Sequence, residues 1–183
     1  MNILALDAAG RFSLAALKRG DETFCAASVY GQGAVRAVYS SVDQALDLAG
    51  VRPGELDAIV VNTGPGSWTA TRIAVTYTAG LAFGAGLRVY GYSGFDIGKR
   101  LDPRGVSFID QLRKTVAEEG AGEAGFVVDL FGAEDNAVYL ADRRAWMDEM
   151  LKLGAEALAA DAPGDPLELR TTYFQEFLAG ARN

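Results

Sequence analysis

Asn62-Thr63-Gly64-Pro65-Gly66-Ser67-Trp68-Thr69-Ala70-Thr71-Arg72 follows the apolar run Ala58-Ile59-Val60-Val61 and opens a stretch of helical character. The two glycines free the backbone for a tight turn, and Ser67 or Thr69 can cap the first amides of the helix behind it. Such a strand-loop-helix junction can hold a phosphate or carboxylate on its amides and helix dipole, but plain capping uses the same residues. Both readings stand at this point. Ile59-Val60-Val61 reads as a central strand with Val60 deeply buried, which places Gly64 at the C-terminal edge of a sheet, with Asp7 beside it.

Upstream, Asn2 to Ala8 is an apolar strand ending on Asp7, and Phe12 to Lys18 is a second strand after a turn at Gly10. Thr23 to Tyr30 gives a third. Val35, Val38, Tyr39, Val42, Ala45, Leu46 and Ala49 recur at three-four spacing, so this stretch is an amphipathic helix closed by Gly50 and Pro53-Gly54. Asp57 to Asn62 is the fourth strand, Thr69 to about Gly84 the second helix, and Arg88 to Gly91 a short fifth strand. An antiparallel start followed by alternating strands and helices predicts a mixed sheet with helices packed on it. Downstream, Val106, Ile109, Leu112 and Val116 suit a helix, and the polar loop 118–125 is the best boundary. Phe126 to Leu130 and Ala137 to Ala141 read as two strands. Trp146, Met147, Met150, Leu151, Gly154 and Leu158 line one helix face, read as core.

Composition narrows the function. With 183 residues, half of them hydrophobic, the chain can bury a real core. No apolar run approaches the roughly 20 residues of a membrane helix, and Met1-Asn2-Ile3 leads straight into a strand, so the expected location is the cytoplasm. Cys25 is the single cysteine, which leaves no intrachain disulfide and reads as a small packed strand residue. There is no histidine, so a Ser-His-Asp triad, a Cys-His pair or a histidine-bearing zinc site cannot be assembled from this chain alone. A net charge of −7 disfavours unassisted binding to a nucleic-acid backbone.

The opening hairpin around Asp7 resembles the first hairpin of the actin/hexokinase superfamily. Together with Gly64-Pro65-Gly66-Ser67-Trp68-Thr69-Ala70-Thr71-Arg72-Ile73 and Gly80-Leu81-Ala82, the chain resembles the TsaB (YeaZ) family, the partners of the glycoprotease-like TsaD proteins in making threonylcarbamoyladenosine on tRNA. The likeness covers about residues 2 to 95 and returns at Phe126-Val127-Val128-Asp129, Val138-Tyr139 and Asp165-Pro166-Leu167-Glu168-Leu169 with Tyr173. It implies an α/β actin-like ATPase (ASKHA, ribonuclease H-like) fold, with a first lobe over residues 1–95 and an abbreviated second lobe over 96–183. Departures occur at Ala8-Ala9-Gly10-Arg11, where relatives of the superfamily carry a hydroxyl-rich phosphate loop, at Gln32, Ala34, Trp68 and Ala70, and at Leu130-Phe131 after Asp129.

The resemblance implies a noncatalytic subunit that pairs with a TsaD-like chain, with itself, or with both through first-lobe helices. It implies no cofactor of its own, ATP or ADP with magnesium only at the shared interface of a complex, no direct tRNA binding alone, and no membrane. Candidate nucleotide-proximal residues are Asp7, Gly64, Gly66, Ser67, Thr69 and Asp129; candidate interface residues are Val35, Tyr39, Val42, Ala70, Ala74 and Tyr77. Ala70, Ala74, Ala79, Gly80, Ala82, Gly84 and Ala85 give the second helix little bulk, which suits close packing on its own sheet or on a second chain. The competing reading is a small phosphotransferase or glycoprotease-like hydrolase using Asp7, Asp129 and the Gly64–Thr69 loop. A stand-alone homodimer without the tRNA role is the third.

Overall fold

The first strand is apolar on both of its faces, so it has to be covered from both sides. In the computed structural model, which describes residues 1–109, 115–117, 126–132 and 136–172, it is. The elements are β1 (Asn2–Asp7), β2 (Phe12–Arg19), β3 (Glu22–Val29), α1 (Ala34–Ala49), β4 (Ala58–Asn62), α2 (Trp68–Ala85), β5 (Arg88–Tyr92), α3 (Gly94–Leu101), β6 (Val106–Ile109), β7 (Thr115–Ala117), β8 (Phe126–Asp129) and α4 (Asn136–Ala159).

β1 to β5 form one mixed sheet in the order β3-β2-β1-β4-β5. β1 and β2 are an antiparallel hairpin, and β3 continues it antiparallel to β2. β4 and β5 add in parallel on the other side of β1, with Ala5 opposite Val60. Leu4, Leu6, Ile59 and Val61 face α1 and α2; Ile3, Ala5 and Val60 face α4. All seven are 0% exposed, which confirms the central-strand reading of Ile59-Val60-Val61. Gly154 of α4 sits directly on this layer: a Cβ there would run into the Val60 side chain and stand 3.2 Å from Ile3 Cγ2.

β6, β7 and β8 make a second sheet in the order β7-β6-β8. It packs into the same hydrophobic cluster as the α4 face of the first sheet, so residues on both sides of position 95 share one core. Phe108 stands edge-on to Phe95 at 5.1 Å and to Trp146 at 6.1 Å between ring centres, which ties β6, α3 and α4 together. The Trp and Met face of α4 is therefore core, as its spacing suggested.

Three readings of the second half change. Val106 and Ile109 belong to strand β6 and Val116 to strand β7, whereas a helix was expected; Leu112 and the 118–125 boundary lie outside the described residues. Val106 and Phe108 enter the same core cluster from one face of β6, a two-residue spacing that the wider three-four match concealed. Residues 137–141 are the start of α4 rather than a strand, because the helix runs unbroken from Asn136 and a short apolar stretch does not distinguish the two. Helix α3 was not anticipated, although Ser93 and Asp96 form the capping box that marks its start.

Val60→Asp should abolish cooperative unfolding, because a charge buried without a partner costs about 3–5 kcal/mol against a small net stability. A circular-dichroism melt checks it: a variant that melts cooperatively near the wild-type temperature would remove β4 from the centre of the sheet.

Candidate functional site

The loop after β4 is held at nearly every step by the protein itself. Asn62 Oδ1 accepts the Gly64 amide at 2.9 Å, and the Gly64 carbonyl accepts the Gly94 amide at 2.6 Å. Gly64 has φ 110° and precedes a cis bond to Pro65. The Ser67 amide donates to the Ala9 carbonyl at 2.7 Å, and Ser67 Oγ caps α2 by accepting the Ala70 amide at 3.4 Å. A Cβ on Gly66 would stand 2.5 Å from Ala9 Cβ and from Ala9 O, so only glycine fits there. From the far end of the chain, the Thr172 amide reaches the Thr63 carbonyl at 2.6 Å, and the two threonine hydroxyls are 3.0 Å apart.

Gly64, Gly66 and Ser67 thus form a joint at the C-terminal edge of the sheet that binds the β1–β2 turn, α2, α3 and residue 172. The Gly64, Ser67 and Ala70 amides have partners within the fold. Thr69 lies outside the joint, exposed on the first turn of α2. Asp7 is buried and its Oδ1 accepts the Ala9 amide at 2.8 Å; Asp129 Oδ1 accepts the Phe131 amide at 3.1 Å. Both acids close turns two residues onward. Among the described residues no three acids or thiols gather as a metal-binding cluster.

A second feature lies on the outer side of α1 and α2. Val38, Val42, Ala45 and Leu46 turn α1 inward, and Ala70, Ala74, Val75 and Ala82 do the same for α2. Val42, Ala70 and Ala74 are 0–2% exposed, so three of the expected interface residues are core. Their small size is spent on bringing α2 close to its own sheet and to α1. The outward surface is bulky instead: Val35 is 68% exposed, Tyr39 56% and Trp68 52%, with Ile73 and Tyr77 half-buried between them. They line a groove of about 810 Å³ that also takes in Arg36 and Arg72. Tyr39 and Tyr77 meet edge-on at 6.5 Å, and the Arg72 guanidinium lies 5.5 Å from the Trp68 ring centre. Burial, helped by Tyr39 and Asp43, raises the Tyr77 phenol above its ordinary pKa.

Trp68, Ile73, Arg36 and Arg72 were missed. Their signal was present: Trp68, Arg72 and Thr76 recur every four residues on the face opposite Ala70 and Ala74, and Val35 and Tyr39 do the same on α1.

Residues 33–96, which hold α1, β4, the Gly64 joint, α2 and β5, match the family model described as TsaD: tRNA N6-adenosine threonylcarbamoyltransferase. YeaZ from Pseudomonas aeruginosa superposes with a TM-score of 0.71 at 17% identity, over 94% of this chain and 99% of that one. The chain has the YeaZ fold. A second structure, titled an uncharacterized protein with similarity to peptidase YEAZ from Pseudomonas aeruginosa, superposes with a TM-score of 0.68 at 18% identity and the same coverage. Comparison with curated proteins finds no match. The likeness of fold to YeaZ therefore extends across both sheets, well beyond residues 33–96 that match the TsaD family model.

Cys25 sits on edge strand β3 beside Arg144 and Met147 of α4. Partial enclosure raises its thiol pKa more than Arg144 lowers it, and Asp148 adds to the rise. At neutral pH its alkylation by iodoacetamide should be slower than that of a free thiol and should accelerate with pH; a rate above the free thiol's would mark an activated cysteine. Gly66→Ala should cost about 1–3 kcal/mol by forcing the loop off Ala9, read as a lower urea midpoint at unchanged slope. An unchanged midpoint would show that the two loops do not depend on this contact.

Proposed function

We propose that this chain is a noncatalytic subunit for threonylcarbamoyladenosine synthesis on tRNA, and that it works by presenting the α1/α2 groove to a TsaD-like catalytic chain. The observation that carries this reading is the exposed aromatic groove, which lies within the segment matched by the TsaD family model. Contiguous apolar surface of this kind favours association. The fold shared with YeaZ supports the same reading.

In this proposal the partner brings the nucleotide, the metal and the chemistry. The joint at Gly64 then serves to fix the start of α2, so that Trp68 and Arg72 are held rigidly at the groove. The enzyme alternative is less well supported, because three amides of its loop, at Gly64, Ser67 and Ala70, are already engaged inside the protein. No helix among the described residues is long and apolar enough to cross a membrane, which is compatible with the cytoplasmic location proposed.

Trp68→Glu and Tyr39→Glu change exposed side chains and should melt close to wild type while weakening association by tenfold or more, about 1.4 kcal/mol or above. Light scattering and a pull-down against the TsaD-like chain of the same genome measure this. A wild-type protein that stays monomeric and ignores that chain at micromolar concentration would leave only the fold resemblance.

A further inference from the structure

The molecule carries a net charge of −7, yet its α1/α2 groove is lined by two arginines and by no acid. Arg36 and Arg72 are exposed on the groove walls, and neither meets a carboxylate among the described residues. Arg72 instead has its guanidinium carbon 5.5 Å from the Trp68 ring centre, and an exposed guanidinium can take a carboxylate in bidentate fashion. By contrast, Arg19, Arg52, Arg88, Arg100, Arg104 and Arg144 all form ion pairs. Two guanidiniums without a carboxylate partner among the described residues therefore stand beside the exposed rings of Tyr39 and Trp68.

We infer that the surface filling this groove is a protein segment with carboxylates set among apolar side chains, placed to pair with Arg36 and Arg72 while its apolar residues cover Tyr39, Trp68 and Tyr77. This rests on the subunit reading above and specifies the chemistry that the partner must present. A second copy docking groove to groove fits less well, because the lining holds two arginines and no acid, so a self-complementary contact would set like charges together. A nucleic acid would offer phosphates to the same arginines, but it would have to approach a strongly acidic molecule. Pairing of this kind steers encounter and fixes register, and it weakens as salt screens it.

The test is capture of the TsaD-like chain of the same genome by wild type, Arg36→Glu, Arg72→Glu and Arg72→Gln, at low and high ionic strength. Both arginines are exposed, so all variants should melt like wild type. Each charge reversal should weaken capture about tenfold or more and flatten its salt dependence, with Arg72→Gln falling between Arg72→Glu and wild type. Wild-type capture that is unaffected by either reversal would overturn this inference and leave the subunit reading intact. Failure of the wild type itself to capture the chain would overturn the subunit reading, and this inference with it. Light scattering that shows the reversals abolishing self-association, or a fluorescent RNA oligonucleotide that binds wild type and not the reversals, would name a different occupant and also overturn it.

Discussion

Two-sided burial of β1 and β4 is the constraint from which the rest of the architecture follows. A strand whose neighbours along the chain point to opposite faces, and whose side chains are apolar at every interior position, is stable only inside a three-layer arrangement. Here α1 and α2 form one outer layer and α4 the other, with Val60 and Ile3 against Gly154 where helix and sheet come closest. α4 comes from the far part of the chain, so the first sheet is not closed until the last long helix has docked.

That closure also explains why the Gly64 loop is so tightly tied. It stands at the edge where β4 ends, α2 begins, the β1–β2 turn passes and residue 172 returns, and each of these donates to it or accepts from it. A junction with so many backbone obligations gains rigidity and gives up the open amides that an anion would require. Rigidity here is transmitted to the first turn of α2, whose outward residues Trp68 and Arg72 begin the groove.

The groove shows a division of labour on a pair of helices. Small residues on the inner faces bring α1 and α2 together and against the sheet; large residues on the outer faces then stand as a connected surface. The small side chains matter to association only indirectly, through the closeness that they allow. Mutating Ala74 would disturb the core, whereas Trp68, Tyr39, Arg36 and Arg72 can be changed at the surface.

Sequence alone determined the first sheet and the two helices on one of its faces, because long periodic segments with stops read at Gly50 and near Gly84 satisfy local and global demands at once. It also determined which chemistries lack their residues, since the absence of histidine needs no structure. It did not determine the state of 106–109 or 137–141, short and mostly apolar stretches that fit helix and strand equally and whose surroundings decide. Nor could it tell that Ala70, Ala74 and Val42 face inward, or that the Gly64 and Ser67 amides donate to Asn62 and Ala9 while the Gly64 carbonyl accepts from Gly94. Those outcomes depend on contacts between residues distant along the chain, and such contacts exist only once the layers have packed.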